Sequence, residues 1–431
     1  MKQYILQILS ADEISRLLVR PSDSYADLEP TVRGIIATVA AGGDAALRGF
    51  TEKFDHVSLQ DLKVSAPELT KAESLVSKEL KEAISVAAKN IETFHRAQMP
   101  GSCSVETMPG VVCSREWRPI QRVGLYIPGG TAPLVSTLLM LGIPAGIAGC
   151  PEIIICSPPT AEGKISPAIL YVAGLHGLNT IFKTGGAQAI AAMAVGTETI
   201  PKVDKIFGPG NKFVAAAKSI ITQPPYNVAI DVNAGPTEFL IIADESAEPA
   251  WVASDLLAQA EHGEDSQVVL VTTSIDMATA VEMEIEKQLK SLSRQQTVAK
   301  ALAKSFMLVV DTMKEAINFS NRYAPEHLLM AVRNPGSWKE KIINAGSVFI
   351  GDRTSGVFGD YSSGTNHTLP TSGAARNAAG VTVESFMKSV FFQEITKEGF
   401  DRLAKTTAIL AEAEGLDAHA NAIYRREVQN D

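Results

Sequence analysis

From residue 122 onward the chain alternates short β-rich runs with helical stretches, and no other feature constrains its fold as strongly. RVGLYIP, EIIICSPP, TIFKTGG and KIFGPG each precede a helical segment, and NVAIDV and EFLIIAD close this first series. A second series begins with a helix through Trp251–His262. It continues with QVVLVTTS, a long charged helix to about Ser305, FMLVVD, a helix near Met313–Arg322, HLLMAV and GSVFIG. The strands are continuously apolar, as in parallel sheets covered on both faces by helices. Two such series predict two similar α/β domains, although the sequence shows no repeat between them.

The first 120 residues read as mostly helical. LEPTVRGIIATVAAGGDAALRGFTEKF has helical spacing, and the stretch from Ala66 to Gln98 reads as a helix capped by Ser65 with Pro67 in its first turn. After Gly351 a tract rich in glycine, serine and threonine leaves little to pack, which in a loop of that length points to function or disorder. The last 50 residues return to helix after a strand-like VTVESFMKSVFFQEI and end as a polar tail.

A chain of 431 residues is expected to hold several structural units. Its net charge of −9, with no basic run, argues against nucleic acid and mildly against an anionic membrane as partner. Four cysteines (Cys103, Cys113, Cys150, Cys156) without a C-x-x-C pair make neither a disulfide framework nor a cysteine zinc site. Cys113, Cys150 and Cys156 read as buried small hydrophobes. The apolar stretch of MKQYILQILSADE is too short for a secretory signal, so the cytoplasm is expected. Residues 123–151 carry no charge and could span a bilayer by length, but Pro128, Pro133 and Pro144 and repeated glycines divide them into strand, loop and helix.

Four of the seven histidines (His262, His327, His367, His419) fall in short segments with a carboxylate nearby, the side chains a metal-assisted or acid–base site needs. Gln259 and His262 lie three apart on a helical stretch, and Asp255 lies one turn earlier on the same face. Spacing alone makes Asp255, Gln259 and His262 the local ligand set. Against it, glutamine is an uncommon zinc ligand, and a lone helix histidine is more often a hydrogen-bonded structural residue. Glu326 and His327 are adjacent, so both can serve one pocket only from a loop or the end of an element. His419, near the C-terminus, reads by itself as solvated.

Nothing matches G-x-G-x-x-G; the nearest, GPGNKF at 208–213, has Phe213 at the third glycine. Three glycine turns nevertheless follow strands and precede helices: PGG at 128–130, GG at 185–186 and GPGN at 208–211. Such turns present backbone N–H groups to phosphate, although each alone reads as a tight turn without a ligand.

The segments LLAQAEHGEDSQ, NRYAPEHLL, GDYSSGTNHTLPT and AEGLDAHAN, with LYIPGG, KTGGAQAIAA, IFGPGNKFV and DVNAGPTEF, closely resemble the histidinol dehydrogenases. The resemblance runs from about residue 30 to about residue 425 and is weakest over the first 25 residues. It implies an α/β fold of two incomplete Rossmann-like parallel-sheet domains, with small helical N- and C-terminal extensions that swap in a homodimer. The expected division is 24–122 with 238–378 for one domain, 123–237 for the NAD-contacting domain, and 1–23 with 379–431 for the dimerisation tail.

The resemblance further implies one Zn2+ per subunit, held by Gln259, His262, Asp360 and His419, with Asp255 supporting the ligands. NAD+ contacts would come from Tyr126, Gln188 and Asn211. L-histidinol would meet Thr237, Gln259, His262, His327, Asp360, Glu414 and His419, with His367 near its reacting end. Thr237 stands where the family often has serine. His327 is implied as the base that takes protons from substrate oxygen, and Glu326 as the base that activates water. The alternatives are a zinc hydrolase in which Glu326 activates water without NAD, and a non-catalytic relative. The latter should have lost a ligand or base, and here none is missing.

Overall fold

The computed structural model describes residues 1–20, 27–129, 133–232 and 235–427. The boundary expected at 23/24, Gly130 of the PGG turn, residues 233–234 of DVNAGPTEF and the last four residues of the tail lie outside the described residues.

The chain opens with β1 (Lys2–Ile5) and α1 (Ala11–Leu17), then α2 (Glu29–Asp55), α3 (Ala66–Leu75) and α4 (Lys78–Arg96). A hairpin follows, β2 (Cys103–Met108) and β3 (Val111–Pro119). The first alternating series is β4 (Arg122–Tyr126), α5 (Val135–Ala148), β5 (Glu152–Ser157), α6 (Pro167–Leu175), β6 (Ile181–Lys183), α7 (Gly186–Val195), β7 (Lys205–Phe207), α8 (Lys212–Ile221) and β8 (Ala229–Ile230). The second is β9 (Glu238–Ala243), α9 (Pro249–Ala260), β10 (Gln267–Thr272), α10 (Ile275–Leu289), α11 (Gln295–Ala303), β11 (Phe306–Val309), α12 (Met313–Tyr323), β12 (His327–Ala331), β13 (Ser347–Ile350) and α13 (Gly356–Tyr361). The chain closes with β14 (Met387–Ile395), α14 (Lys397–Ala413) and α15 (Asp417–Glu427).

These elements form two compact units, 1–98 with 120–386, and 99–119 with 387–431. The larger unit holds two parallel sheets, ordered β6-β5-β4-β7-β8 and β1-β11-β10-β9-β12-β13. Numbered within its own series, each reads 3-2-1-4-5, the Rossmann order short of its last strand; β1 adds to the far edge of the second sheet. Strand alternation divides the second sheet's core in two. Phe239, Ile241, Val268, Leu270 and Leu329 face α9, α10 and α11. Leu240, Ile242, Val269, Val271 and Leu328 face α12 and the N-terminal segment. The smaller unit is an antiparallel sheet, β14-β3-β2, with α14 and α15 packed on each other.

Several expectations need correction. Residues 2–5 form a sheet strand, because Tyr4 packs with the apolar face around Phe306 and Phe319. Helices α2–α4 pack against α5–α8 of the first series: Val32, Ile36, Val39 and Leu47 share a core with Tyr126, Phe182 and Ile206. Within the first 120 residues, expected to be mostly helical, 103–119 form a hairpin. The boundary between the two compact units falls after Phe386. The helix expected from Ser65 is two, α3 and α4, although Ser65 caps it as expected in a capping box with Glu68. The long charged helix to Ser305 is likewise two, α10 and α11. Cys113 is exposed. The uncharged run 123–151 contains β4 and α5, and no helix among the described residues is long and apolar enough to cross a membrane.

Candidate active site

A cavity of about 790 Å³ in the larger unit draws on both sheets. The first sheet contributes its C-terminal edge, where strand order reverses between β4 and β7: Tyr126, Pro128, and Pro209 to Lys212. That is where open α/β sheets hold their ligands. The second sheet contributes its N-terminal edge: Thr237 before β9, residues 261–266 before β10, and Glu326–His327 at the start of β12.

On the first side, the buried Tyr126 hydroxyl accepts a hydrogen bond from the Gly186 N–H at 3.1 Å. Burial pushes its phenol up to about 12. Asn211 caps α8, its Oδ1 accepting from the N–H groups of Phe213 and Val214 at 3.0 and 3.2 Å. Gly208 has φ +122°, and a Cβ there would run into the Tyr126 carbonyl oxygen, so only glycine lets β4 and β7 meet this closely. Behind this turn lies the buried Lys218–Asp231 ion pair. Lys218 Nζ also donates to the carbonyls of Gly208 and Val232, at 3.0 and 3.1 Å, and the Gly208 N–H donates to Asp231 Oδ2 at 2.8 Å. Gln188 is buried on the first turn of α7 and does not line the cavity.

On the other side, Glu326 and His327 follow Ala324, which closes α12 at φ +54°. Their side chains meet because β12 begins at His327, while Glu326 is still in the preceding turn. His327 Nδ1 lies 3.5 Å from Glu326 Oε2, and its Nε2 lies 3.6 Å from Asp360 Oδ1. Phe239 and Phe349 flank the ring. Burial opposes its protonated form, but the Glu326 and Asp360 carboxylates outweigh that and push the imidazole up to about 10. The Glu326 carboxylate accepts the Glu238 N–H at 2.9 Å.

Asp360, on α13, accepts Gln259 Nε2 at 2.7 Å. Burial opposes its charge, yet the hydrogen bond and charge of His327 hold the carboxyl below its usual range. His262 stands one residue past the C-cap of α9, and its Nδ1 is 3.1 Å from Thr237 Oγ1. Asp255 accepts a hydrogen bond from Ser355 Oγ, the side chain that caps α13, so it orders the helix carrying Asp360. His367 also lines the cavity, and burial pulls its imidazole down to about 4. Its neighbour Asn366 donates to the Met140 carbonyl at 2.6 Å and lies 3.3 Å from His95 Nε2.

Among the described residues, four buried side-chain atoms at the site have no hydrogen-bond partner: Gln259 Oε1, His327 Nδ1, His367 Nε2 and Thr368 Oγ1. Buried polar atoms are rarely orphaned unless a ligand or ion completes them. Among the described residues no group of three or more His, Cys, Asp or Glu side chains forms a metal cage. Gln259 Oε1, Asp360 and His262 nonetheless supply oxygen and nitrogen donors of the kind zinc takes. Glu414 and His419 lie in the smaller unit, at the end of α14 and on α15, and both are exposed. Sequence reasoning missed Lys218, Asp231, Glu238 and Arg20. Lys218 did leave a signal, as the one cation within FVAAAKSII, which is otherwise apolar but for Ser219.

Two half-Rossmann sheets meeting at a cavity that holds a buried acid–base pair define an α/β enzyme. The histidinol dehydrogenase family model matches residues 18–427. A histidinol dehydrogenase from Xanthomonas campestris pv. campestris is 51% identical over 419 residues, covering 97% of each chain. One from Bacteroides thetaiotaomicron is 50% identical over 422 residues, covering 98% of each. The crystal structure of histidinol dehydrogenase from Elizabethkingia anophelis superimposes with a TM-score of 0.95 at 49% identity, covering 100% of this chain and 99% of that one. The chain belongs to the histidinol dehydrogenase family and is an NAD-dependent oxidoreductase.

Proposed function

We propose that this protein oxidises L-histidinol through L-histidinaldehyde to L-histidine, the last step of histidine biosynthesis, reducing two NAD+ and consuming one water. The observation that carries this reading is the buried Glu326–His327 pair, with His327 Nδ1 orphaned in a cavity that reaches Tyr126 and Asn211. Gln259, His262, Asp360 and His419 would hold one zinc ion. Bound there, zinc would supply a Lewis acid that orients the substrate, and NAD+ would supply the hydride acceptor for both oxidations.

His327 would enter as the neutral imidazole, a cation bound at Asp360 offsetting one of the two carboxylates that raise it. It takes the proton from the substrate oxygen, which lets the hydride leave. Glu326 removes a proton from water, so that the aldehyde is oxidised as its hydrate. A thiohemiacetal route would need a reactive thiolate, and none of the four cysteines lines the cavity. Burial pushes the Cys150 thiol up to about 11 and raises that of Cys156 further. Thr237 and Glu414 are assigned to substrate contact, with the Thr237 hydroxyl also orienting His262. Tyr126, Gln188 and Asn211 are assigned to NAD+. We assign the enzyme to the cytoplasm as a homodimer in which Glu414 and His419 of each chain complete the partner's site.

The test separates the two bases. Glu326→Gln should slow aldehyde oxidation far more than alcohol oxidation, and His327→Asn should slow both. A Glu326→Gln enzyme that oxidises histidinaldehyde at the wild-type rate removes Glu326 from the mechanism.

A further inference from the structure

We propose that Arg20, in the N-terminal segment, is a positioning residue that sets the Glu326 carboxylate; this rests on the reading of Glu326 as the water-activating base. The Arg20 guanidinium makes a fork to Glu238, Nε to Oε1 at 3.0 Å and Nη2 to Oε2 at 2.9 Å. Nη2 also donates to the carbonyls of Tyr323 and Ala324, at 2.6 and 3.3 Å, and the guanidinium carbon lies 3.4 Å over the Tyr323 ring. Both side chains of the ion pair are nearly buried, at 10% and 3% exposure, so the contact is not a screened surface pair.

Arg20 Nη1 donates to the Leu18 carbonyl at 3.0 Å, and the groups it holds on β9 and at the end of α12 are each one step from Glu326. The Glu238 backbone N–H is the donor at 2.9 Å to Glu326 Oε2. Ala324 lies two residues before Glu326, in a left-handed conformation that alanine adopts only under constraint. One planar cation therefore fixes both the backbone that delivers Glu326 and the residue that anchors its carboxylate. Tyr323 extends the same network: its hydroxyl donates to Gln267 Oε1 at 2.7 Å, and the Gln267 N–H donates to the Thr237 carbonyl at 2.9 Å. Lysine cannot replace this grip, because an ammonium has neither the fork nor the plane that stacks on Tyr323.

The experiment compares Arg20→Met, Arg20→Lys and Glu238→Gln in the full-length enzyme, measuring single-turnover alcohol and aldehyde oxidation, KM for NAD+ and melting temperature. Misplacing a catalytic group by about 1 Å costs up to about a hundredfold. Arg20→Met should therefore slow aldehyde oxidation by about ten- to a hundredfold, slow alcohol oxidation much less, and leave KM for NAD+ unchanged. Arg20→Lys should not rescue the rate, Glu238→Gln should reproduce the split, and the Arg20→Met loss should vanish in a Glu326→Gln background. If Arg20→Met does not fold, Arg20→Lys carries the same comparison. Equal loss in both oxidations, or the same factor with and without Glu326, would overturn the proposal and leave Arg20 a purely structural residue. Should Glu326→Gln alone spare aldehyde oxidation, the reading of Glu326 fails instead, and the two failures are told apart.

Discussion

Replacing Lys218 by Met tests the reasoning behind the turn that lines the first side of the cavity. Lys218 and Asp231 are 2% and 0% exposed, and the ammonium serves one carboxylate and two carbonyls at once. Removing it strands a buried carboxylate with the Gly208 N–H as its remaining donor in this network, and deprives the carbonyls of Gly208 and Val232 of theirs. Breaking a buried pair from one side costs about 3–5 kcal/mol, and each stranded acceptor about 1–3 kcal/mol where water cannot reach it. These terms overlap, so about 3–5 kcal/mol is expected from Lys218→Met in urea unfolding followed by tryptophan fluorescence. The double variant Lys218→Met with Asp231→Asn should cost clearly less than the two single losses added together, because no charge is then stranded. NAD+ binding should weaken with the single variant, since the turn at 208–211 loses its support. A single-variant loss under about 1 kcal/mol, or strict additivity in the double variant, would refute the claim that this pair braces the turn.

Three further outcomes are expected. His262→Asn should weaken zinc binding by more than about tenfold and lower activity with it, while the circular dichroism spectrum persists; unchanged zinc content would show that His262 is not a ligand. Burial lowers the folded-state value of His95 below its ordinary value of about 6.5, so the folded chain binds fewer protons there than the unfolded one. Its contribution to stability is full above about pH 6.5 and is lost as pH falls through the lower folded value; His95→Gln should flatten the acid fall of the melting temperature, and an unchanged slope would contradict this. Co-refolding inactive His262→Asn with inactive His419→Asn should restore activity, because in heterodimers with shared sites one site carries both defects and the other neither; confirmed heterodimers without activity would refute sharing.

The alternating segments were legible because parallel strands buried on both faces write continuous apolar runs, as in EFLIIA and QVVLVT. The hairpin at 103–119 was not, since nearly all of β2 is exposed and leaves no period of two to read. The packing partner of α2–α4 is tertiary information that no local pattern carries. At the site, the adjacency of Glu326 and His327 pointed to a pocket at the end of an element, and β12 does begin there. Arg20 and Glu238 are separated by 218 residues, so their union was invisible in sequence. Gln188, marked by the resemblance, is buried on the first turn of α7, just after the Gly185–Gly186 turn.

The most direct test is a count. Purified enzyme incubated with zinc, limiting L-histidinol and excess NAD+ should yield two NADH for each L-histidine formed, with no free histidinaldehyde accumulating. One NADH per histidinol with released aldehyde, or turnover without NADH, would contradict the account.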